Sequence, residues 1–428
     1  MEKSLDRKLR AIHANPNCRE FIIADAKDAD MAFGIGAAGQ SPEAHPGEVR
    51  FRTLKQYRDM IREVVRQELV DIMLMSASTN EILTIGERMF DNSPVTPAAR
   101  ANDTSDIFVV RGGKYLADPS VPFRSASVDH IQCGHLDCSP EERKLGANLG
   151  LYSVTFTNST SRDLETLENF KEFRTEAERK GFRYFLEVFD PNLPSVEPNL
   201  LGGFINDMIA RSLAGVVGAG RPLFLKMVYH GPQAMEELFR YDPSLVIGIL
   251  GGSSGTTYDA FKLIAEAQKY GAKVALFGRK INNAENQFAF IRFLRLIVDG
   301  VVSPEEAVRA YHGVLQRLNI RPHRSLEEDL VITTGVMSYG GSGTTISIPG
   351  LNPSGNPSIS KPTPVPQAPA ASTVAATSPS SCGASGAKKC SCGCKGKGKE
   401  GPPKFSQMTS AERLEYHRKR IGRLLGEH

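Results

Sequence analysis

The sequence predicts an α/β protein folded as a (β/α)8 (TIM) barrel. Between residues 20 and 330, short β-branched apolar runs alternate with longer patterns in which apolar residues recur three and four positions apart. There are eight such runs, and helical patterns follow several of them. Eight repeats of strand and helix favour a closed barrel, with a doubly wound open sheet as the alternative.

The predicted strands follow one another along the chain at short intervals. The stretch from residue 91 to 139 is rich in Asp, Pro, Gly and Ser, which predicts an insertion around the third strand. The strands are predicted at residues 21–25, 71–75, 106–110, 151–156, 184–189, 223–228, 245–250 and 273–277, and the clearest helices at 164–180, 257–270 and 284–299.

The composition changes abruptly after the barrel. Between residues 341 and 404, Ser, Pro, Gly and Ala replace large apolar residues, and such a segment buries too little apolar surface to offset its ordering entropy. Thr409 and Glu412 then have capping-box spacing ahead of an amphipathic pattern. We therefore predict a barrel at 1–340, a disordered Cys-containing linker at 341–404 and a short basic amphipathic helix at 405–428.

Charge and hydropathy exclude several classes of protein. The net charge of +4 divides into +8 for residues 351–428 and −4 for the rest, so the predicted barrel is mildly acidic and unsuited to nucleic acid. No apolar stretch approaches the roughly 18 residues of a membrane-spanning helix. The charged amino terminus is unlike a secretory signal, which predicts a cytoplasmic protein. The sparse cysteines of the body predict reduced thiols.

Lys226 interrupts an otherwise apolar run, residues 224–228, in the sixth predicted strand. At the mouth of a barrel, desolvation and neighbouring cations favour the neutral amine, which forms a Schiff base with a ketone or aldehyde. The protonated imine then accepts electrons while a neighbouring carbon–carbon bond breaks or forms. The alternative is a lysine on the outer face that reaches solvent past a helix.

Two carboxylates are candidates to accompany Lys226. Glu187 has the parity of the inward positions of the fifth predicted strand, so it can face Lys226 and transfer protons during carbinolamine formation and bond cleavage. A purely structural ion pair is the alternative. Asp25, at the end of the first predicted strand, is a candidate third polar group, and an aspartate that caps a turn is the alternative.

Two loops are candidates to bind a phosphate group. Gly251, Gly252 and Ser253 begin a glycine-rich turn between the seventh strand and a helix, where backbone N–H groups can surround an anion. Gly278 and Arg279 follow the eighth strand. The loops after strands 7 and 8 of such barrels commonly hold a phosphate, although a glycine turn can also serve only to reverse the chain.

A cluster of metal-compatible residues lies in the predicted insertion. His130, Cys133, His135 and Cys138 fall within nine residues, but their spacings fit no standard zinc module. An ordinary loop is predicted there, and no metal or other cofactor is expected. The cysteines of the linker could bind a soft metal or form disulfides.

These residues together resemble the class I aldolases of the deoxyribose-phosphate and bisphosphate type, a superfamily that includes tagatose-bisphosphate aldolase and the archaeal-type fructose-bisphosphate aldolases. The likeness is best over residues 184–300. It implies that Lys226 is the Schiff-base lysine, that Glu187 is the strand 5 glutamate of the tagatose-bisphosphate branch, and that Asp25 is the strand 1 aspartate. It also implies that the two loops bind substrate phosphate.

The resemblance implies a metal-free carbon–carbon lyase acting on a phosphorylated sugar such as a ketose bisphosphate. A transaldolase, a deoxyribose-phosphate-type aldolase and a non-catalytic sugar-phosphate-binding barrel are the alternatives. The sequence departs from several family members in having no lysine on strand 4, residues 151–156. The tail resembles the peptides that tether enzymes to bacterial microcompartment shells, although its helix could also bind a membrane surface or a second copy. A homo-oligomer is a further expectation.

Overall fold

The computed structural model describes residues 1–41, 50–108, 110, 113–252 and 255–333, together with Thr409, Glu412 and Glu415. The predicted linker at 341–404 lies outside these residues. Thr409 and Glu412 make both hydrogen bonds of the predicted capping box: the Glu412 backbone N–H donates to Thr409 Oγ1 over 3.3 Å, and the Thr409 N–H donates to Glu412 Oε2 over 2.7 Å. The rest of the terminal helix stays a prediction.

Within the described ranges, eight parallel strands close into a barrel, which confirms the predicted fold class and excludes the open sheet. The first strand pairs with the last in the register Ile22↔Val274, so the barrel of described strands has no open edge. The strands, in chain order, are β1 (Ile22–Lys27), β2 (Ile72–Met75), β3 (Thr96–Arg100), β4 (Asp103–Thr104), β5 (Pro122–Phe123), β6 (Leu149–Thr155), β7 (Arg183–Phe189), β8 (Leu225–Met227), β9 (Gly248–Leu250) and β10 (Val274–Phe277), of which β4 and β5 form a separate antiparallel pair.

Helices connect the parallel strands, as the crossover geometry of such strands requires. Thr53, Thr256 and Ser303 each begin a helix with a complete capping box. None of the described helices has the length and apolar character needed to span a membrane. The α-helices of the described ranges are α1 (Ser4–Ala14), α2 (Ala29–Phe33), α3 (Leu54–Gln67), α4 (Ala77–Asn80), α5 (Val128–Cys133), α6 (Thr160–Arg179), α7 (Leu201–Leu213), α8 (Pro232–Tyr241), α9 (Thr257–Lys269), α10 (Arg279–Asn282), α11 (Gln287–Val298), α12 (Pro304–Arg317) and α13 (Leu326–Asp329).

The third barrel strand is not where the apolar pattern predicted it. The described residues of 106–110 form no strand, and β3 lies ten residues earlier in the chain. The apolar residues of this run pack within the insertion instead. The Phe108 ring lies edge-to-face against Tyr115 and Phe123, at centroid distances of 5.6 and 5.2 Å. β3 reads Thr-Pro-Ala-Ala-Arg, in which Thr96 is the single β-branched residue, so its strand signal is weak. The insertion itself lies between β3 and β6.

Cys133 and Cys138 form a disulfide within this insertion. This finding corrects the prediction of reduced thiols, which rested on the number of cysteines and could not show which of them meet in space. Helix α5 ends at Cys133, and Gly134, with φ of 86°, turns the chain so that Cys138 returns to it. Of the described cysteines, Cys18 is free.

The barrel has a closed end and an end that carries polar side chains. Inward-facing residues such as Leu151 and Phe185 belong to one apolar cluster with the buried face of α1. Lys8 of α1 donates to Asp71 over 2.9 Å, and Arg295 of α11 donates to the same carboxylate over 2.7 Å. Because α1 closes the amino-terminal end of the strands, a functional site is expected at their carboxyl-terminal end.

Candidate active site

Lys226 and Glu187 lie directly opposite each other on neighbouring strands. They are register partners of β8 and β7, and the Lys226 ammonium contacts Glu187 Oε1. Both share the parity of residues in the inward apolar cluster, Phe224 and Phe185. Lys226 is 7% exposed and Glu187 is 1% exposed. The predicted pair therefore exists, inside the barrel, and the outer-face alternative for Lys226 is excluded.

Ser153 extends this row onto β6. It is the register partner of Glu187, and its hydroxyl donates to Glu187 Oε2 over 2.6 Å. The side chain of Asn102 holds the Ser153 backbone, because its Oδ1 accepts from the Ser153 N–H over 2.6 Å and its Nδ2 donates to the Ser153 carbonyl over 2.8 Å. Three adjacent strands thus present Ser153, Glu187 and Lys226 side by side.

Arg100, the last residue of β3, is a second cation at Glu187. Its Nη2 donates to Glu187 Oε2 over 3.5 Å, and its Nη1 donates to Ser153 Oγ over 3.1 Å. Its Nε donates over 2.5 Å to Oδ2 of Asp28, the residue that follows β1. Burial alone would lower the pKa of Arg100, but the carboxylates of Asp28, Glu187 and Asp103 outweigh that effect and raise it above its ordinary value. Arg100 therefore remains a cation at any relevant pH.

Asp103 follows Arg100 by three residues and approaches Nη1, the guanidinium atom that also donates to Ser153. Its Oδ1 is 3.8 Å from Arg100 Nη1. Burial raises the pKa of Asp103 to about 6, with Arg100 opposing the shift and the carboxylates of Asp28 and Glu187 adding to it. The site therefore combines two cations with carboxyl groups of different environments.

The structure does not bring Asp25 to this row. Asp25 has the parity of Ile23, which packs in the apolar layer between strands and helices, and its Oδ2 lies 3.3 Å from Lys27 Nζ. Both side chains are fully buried. Burial raises the pKa of Asp25 to about 6, Lys27 opposing it, and burial lowers the pKa of Lys27. Asp28 is the carboxylate after β1 whose contacts reach the site, through Arg100.

The glycines of the two predicted phosphate loops are needed for packing. A side chain at Gly251 would overlap the ring of Phe277, and a Cβ at Gly278 would lie 2.7 Å from the Ala26 carbonyl oxygen. Gly252 has φ of 60°, which favours glycine. The guanidinium of Arg279 lies over an aromatic ring, that of Phe33, with its Cζ 5.4 Å from the centroid. Ser253 lies outside the described residues.

Helix α9, which follows the glycine-rich loop after β9, already binds a carboxylate at its first turn. The Thr257 N–H donates to Asp329 Oδ1 over 2.7 Å, and Asp259 completes the capping box of Thr256. His312 contacts the other Asp329 oxygen, Oδ2, over 3.0 Å. The first turn of α9 is therefore already occupied by the carboxylate of Asp329.

Solved structures that are similar to this chain include two fructose-bisphosphate aldolases. That of Slackia heliotrinireducens is 12% identical, with a TM-score of 0.51 over 72% of this chain and 89% of its own. An archaeal fructose 1,6-bisphosphate aldolase is 16% identical, with a TM-score of 0.48 over 68% of this chain and 99% of its own. This chain has the fold of a fructose-bisphosphate aldolase. No protein-family model matches the sequence, and no curated protein is significantly similar to it.

In this aldolase-like barrel, the polar site is larger than the sequence indicated. Arg100, Ser153, Asp28 and Asp103 were not predicted. Because the apolar pattern predicts the third strand ten residues after β3, Arg100 and Asp103 fall within the predicted insertion. The available signal for β3 is a five-residue stretch, Thr-Pro-Ala-Ala-Arg, that ends in a charged residue, Arg100.

Proposed function

We propose that this protein is a class I aldolase, which cleaves or forms a carbon–carbon bond in a phosphorylated sugar through an imine on Lys226. The observation that carries the proposal is the buried pair of Lys226 and Glu187 on adjacent strands, facing the interior at the carboxyl-terminal end of the barrel. In barrels of this architecture, catalytic groups come from the carboxyl-terminal ends of several strands.

The contact between the two groups supports a proton transfer within the pair. Lys226 gives a proton to Glu187, and the neutral amine adds to the substrate carbonyl to form a carbinolamine. Glu187 then returns the proton to the departing hydroxyl group, which leaves as water. The product is a protonated imine that withdraws electrons from the neighbouring carbon–carbon bond.

Arg100 supplies a fixed positive charge beside Glu187, although it is not on strand 4, where several family members have a second lysine. It comes from β3 and reaches Glu187 and Ser153, which β7 and β6 carry. Arginine does not lose its proton in proteins, so this charge persists while Lys226 is neutral or bound as an imine. Ser153 holds the second oxygen of Glu187, which leaves Oε1 directed at Lys226.

The ends of β9 and β10 are the proposed binding place for substrate phosphate. Gly251 and Gly278 pack their main chain closely against neighbouring residues there, Gly252 has a positive φ, and Arg279 follows Gly278 immediately. The packing role of the glycines is compatible with this function, since both require a backbone without side chains.

Borohydride reduction tests the proposal. We expect dihydroxyacetone phosphate, or another member of a panel of sugar phosphates, to leave a reduced adduct that peptide mass mapping assigns to Lys226. Lys226→Arg keeps the charge beside Glu187 and should abolish the adduct, whereas Lys262→Arg on α9 should not. Thermal stabilisation by sugar phosphates without any adduct would contradict the aldolase and favour the sugar-phosphate-binding barrel.

A further inference from the structure

Asp103 has a carboxyl oxygen with no hydrogen-bond partner. The residue is 1% exposed, and Oδ1 finds no partner among the described residues. A buried polar atom left unpaired costs free energy, and most such atoms in native proteins are paired. Asp25 and Asp106 also have unpaired carboxyl oxygens, but Asp103 differs from them in that its cation, Arg100, contacts Glu187 as well, which points to a functional group.

The backbone on both sides of Asp103 is held in place. Asn102 is bound to the Ser153 main chain, and Asp103 itself pairs with Phe123 across the β4–β5 sheet. Arg100 links Asp103 to the site, since the same Nη1 atom lies 3.8 Å from Asp103 Oδ1 and 3.1 Å from Ser153 Oγ. Asp103 is therefore part of the site but lies farther from Lys226 than Glu187 does.

Charges from several elements act on Asp103. Arg100 is the cation that faces it, and the carboxyl groups of Asp28, Glu187 and Asp30 are the anions. Burial is the largest effect and, with these anions, raises its pKa to about 6. A group that titrates near the working pH both accepts and returns a proton effectively.

We propose that Asp103 is a second acid–base residue that serves the carbon–carbon bond step, whereas Glu187 serves imine formation on Lys226. This inference rests on the proposed aldolase function and assigns separate roles to its two carboxyl groups. The division follows from the contacts: Glu187 touches the nitrogen that forms the imine, whereas Asp103 is connected to this pair through Arg100 and is left to serve a substrate hydroxyl farther from the imine carbon.

The proposed step balances without any added reactant. The Asp103 carboxylate takes the proton of the hydroxyl on the carbon that will leave as an aldehyde. That carbon–oxygen bond becomes a carbonyl, the carbon–carbon bond breaks, and its electron pair forms the enamine as the imine electrons move onto the Lys226 nitrogen. Asp103 then returns the proton to the enamine carbon. Water hydrolyses the imine and releases the ketone.

Dihydroxyacetone phosphate separates the two roles, because it forms the imine and exchanges its α-hydrogen through the enamine without any carbon–carbon bond cleavage. We would measure borohydride adduct formation on Lys226, and exchange of that hydrogen with D2O by NMR. Asp103→Asn should keep adduct formation within about twofold while exchange slows by about 100-fold or more. Glu187→Gln should lose the adduct itself.

Asp106→Asn is the matched control. Asp106 is a fully buried carboxyl group of the same insertion, and its Oδ2, like Asp103 Oδ1, has no hydrogen-bond partner among the described residues. Its Oδ1 accepts hydrogen bonds from Ser120 over 2.6 Å and Thr155 over 3.1 Å, and Arg100 is not among its partners. This variant should keep both adduct formation and exchange. The wild-type exchange rate should also fall below pH 6 or so as Asp103 becomes protonated, and Asp103→Asn should lack this limb.

Three results would each overturn the role of Asp103. They are hydrogen exchange at the wild-type rate in Asp103→Asn, loss of both adduct and exchange in that variant, and an exchange defect of equal size in Asp106→Asn. Each would leave imine formation on Lys226 in the wild-type protein intact as a finding. If the wild-type protein forms no adduct with any substrate, the proposed function fails, and this inference fails with it.

Discussion

Replacement of Arg100 tests whether the charged site is a single electrostatic unit. The Arg100 and Asp28 side chains are 6% and 7% exposed, so Arg100→Met leaves a buried carboxylate without its cation. Removing one partner of a buried ion pair destabilises a protein by about 3–5 kcal/mol. We expect a loss of this size in the free energy of unfolding near neutral pH, and Asp28→Asn combined with Arg100→Met should recover part of it.

The loss should also depend on pH, through Asp103. Its pKa is about 6 in the folded protein against an ordinary value of 3.8, so the folded state binds the proton more tightly than the unfolded state does. Its ionisation removes stability as the pH rises from the unfolded pKa to the folded one, by about 3 kcal/mol in total. Without Arg100 the folded pKa rises further. The deficit of Arg100→Met should therefore be larger at about pH 8 than at about pH 5.

Urea unfolding followed by circular dichroism at these two pH values measures the effect. Arg221→Met is the control, because its partner Asp242 and Arg221 itself are 28% and 41% exposed, and an exposed pair contributes less than about 1 kcal/mol. A loss below about 1 kcal/mol for Arg100→Met at both pH values would refute the view that Arg100 balances the site.

Three further predictions concern packing, the closed end and the tail. Gly251→Ala should destabilise the barrel by about 1–3 kcal/mol in urea unfolding, because the new methyl group overlaps the Phe277 ring. Gly203→Ala, at a helical site with open space, should stabilise it by up to about 1 kcal/mol, and equal effects of the two substitutions would contradict the packing role of Gly251. Asp71→Ala removes an acceptor shared by α1 and α11, and should lower the free energy of unfolding by about 3–5 kcal/mol. A loss under about 1 kcal/mol would show that this carboxylate does not hold the two helices together. Deletion of residues 351–428 should leave the melting temperature of the barrel unchanged and alter assembly or localisation in cells; unchanged assembly and localisation would exclude the proposed tethering.

The strand pattern and the central pair could be predicted because both depend on local sequence. Side chains of a strand alternate between its two faces, so the sequence shows that Lys226 shares a face with Phe224, and Glu187 with Phe185. Both faces of these strands are apolar, so the tertiary structure was needed to exclude the outer-face alternative for Lys226. Seven of the eight barrel strands overlap their predicted positions because each depends on a local apolar run. β3 was missed because Pro97 and two alanines carry little strand signal.

Barrel closure and strand register decided the rest of the site. Arg100 meets Asp28 from 72 residues away and Glu187 from 87 residues away. The parity of Asp25 directs it to the layer between strands and helices, so Asp28 is the carboxylate that reaches the site from β1. Sequence alone determined the alternation of faces and the kinds of charged residue available. Which charges meet was decided by tertiary structure, since only a closed barrel brings the ends of distant strands within hydrogen-bond distance.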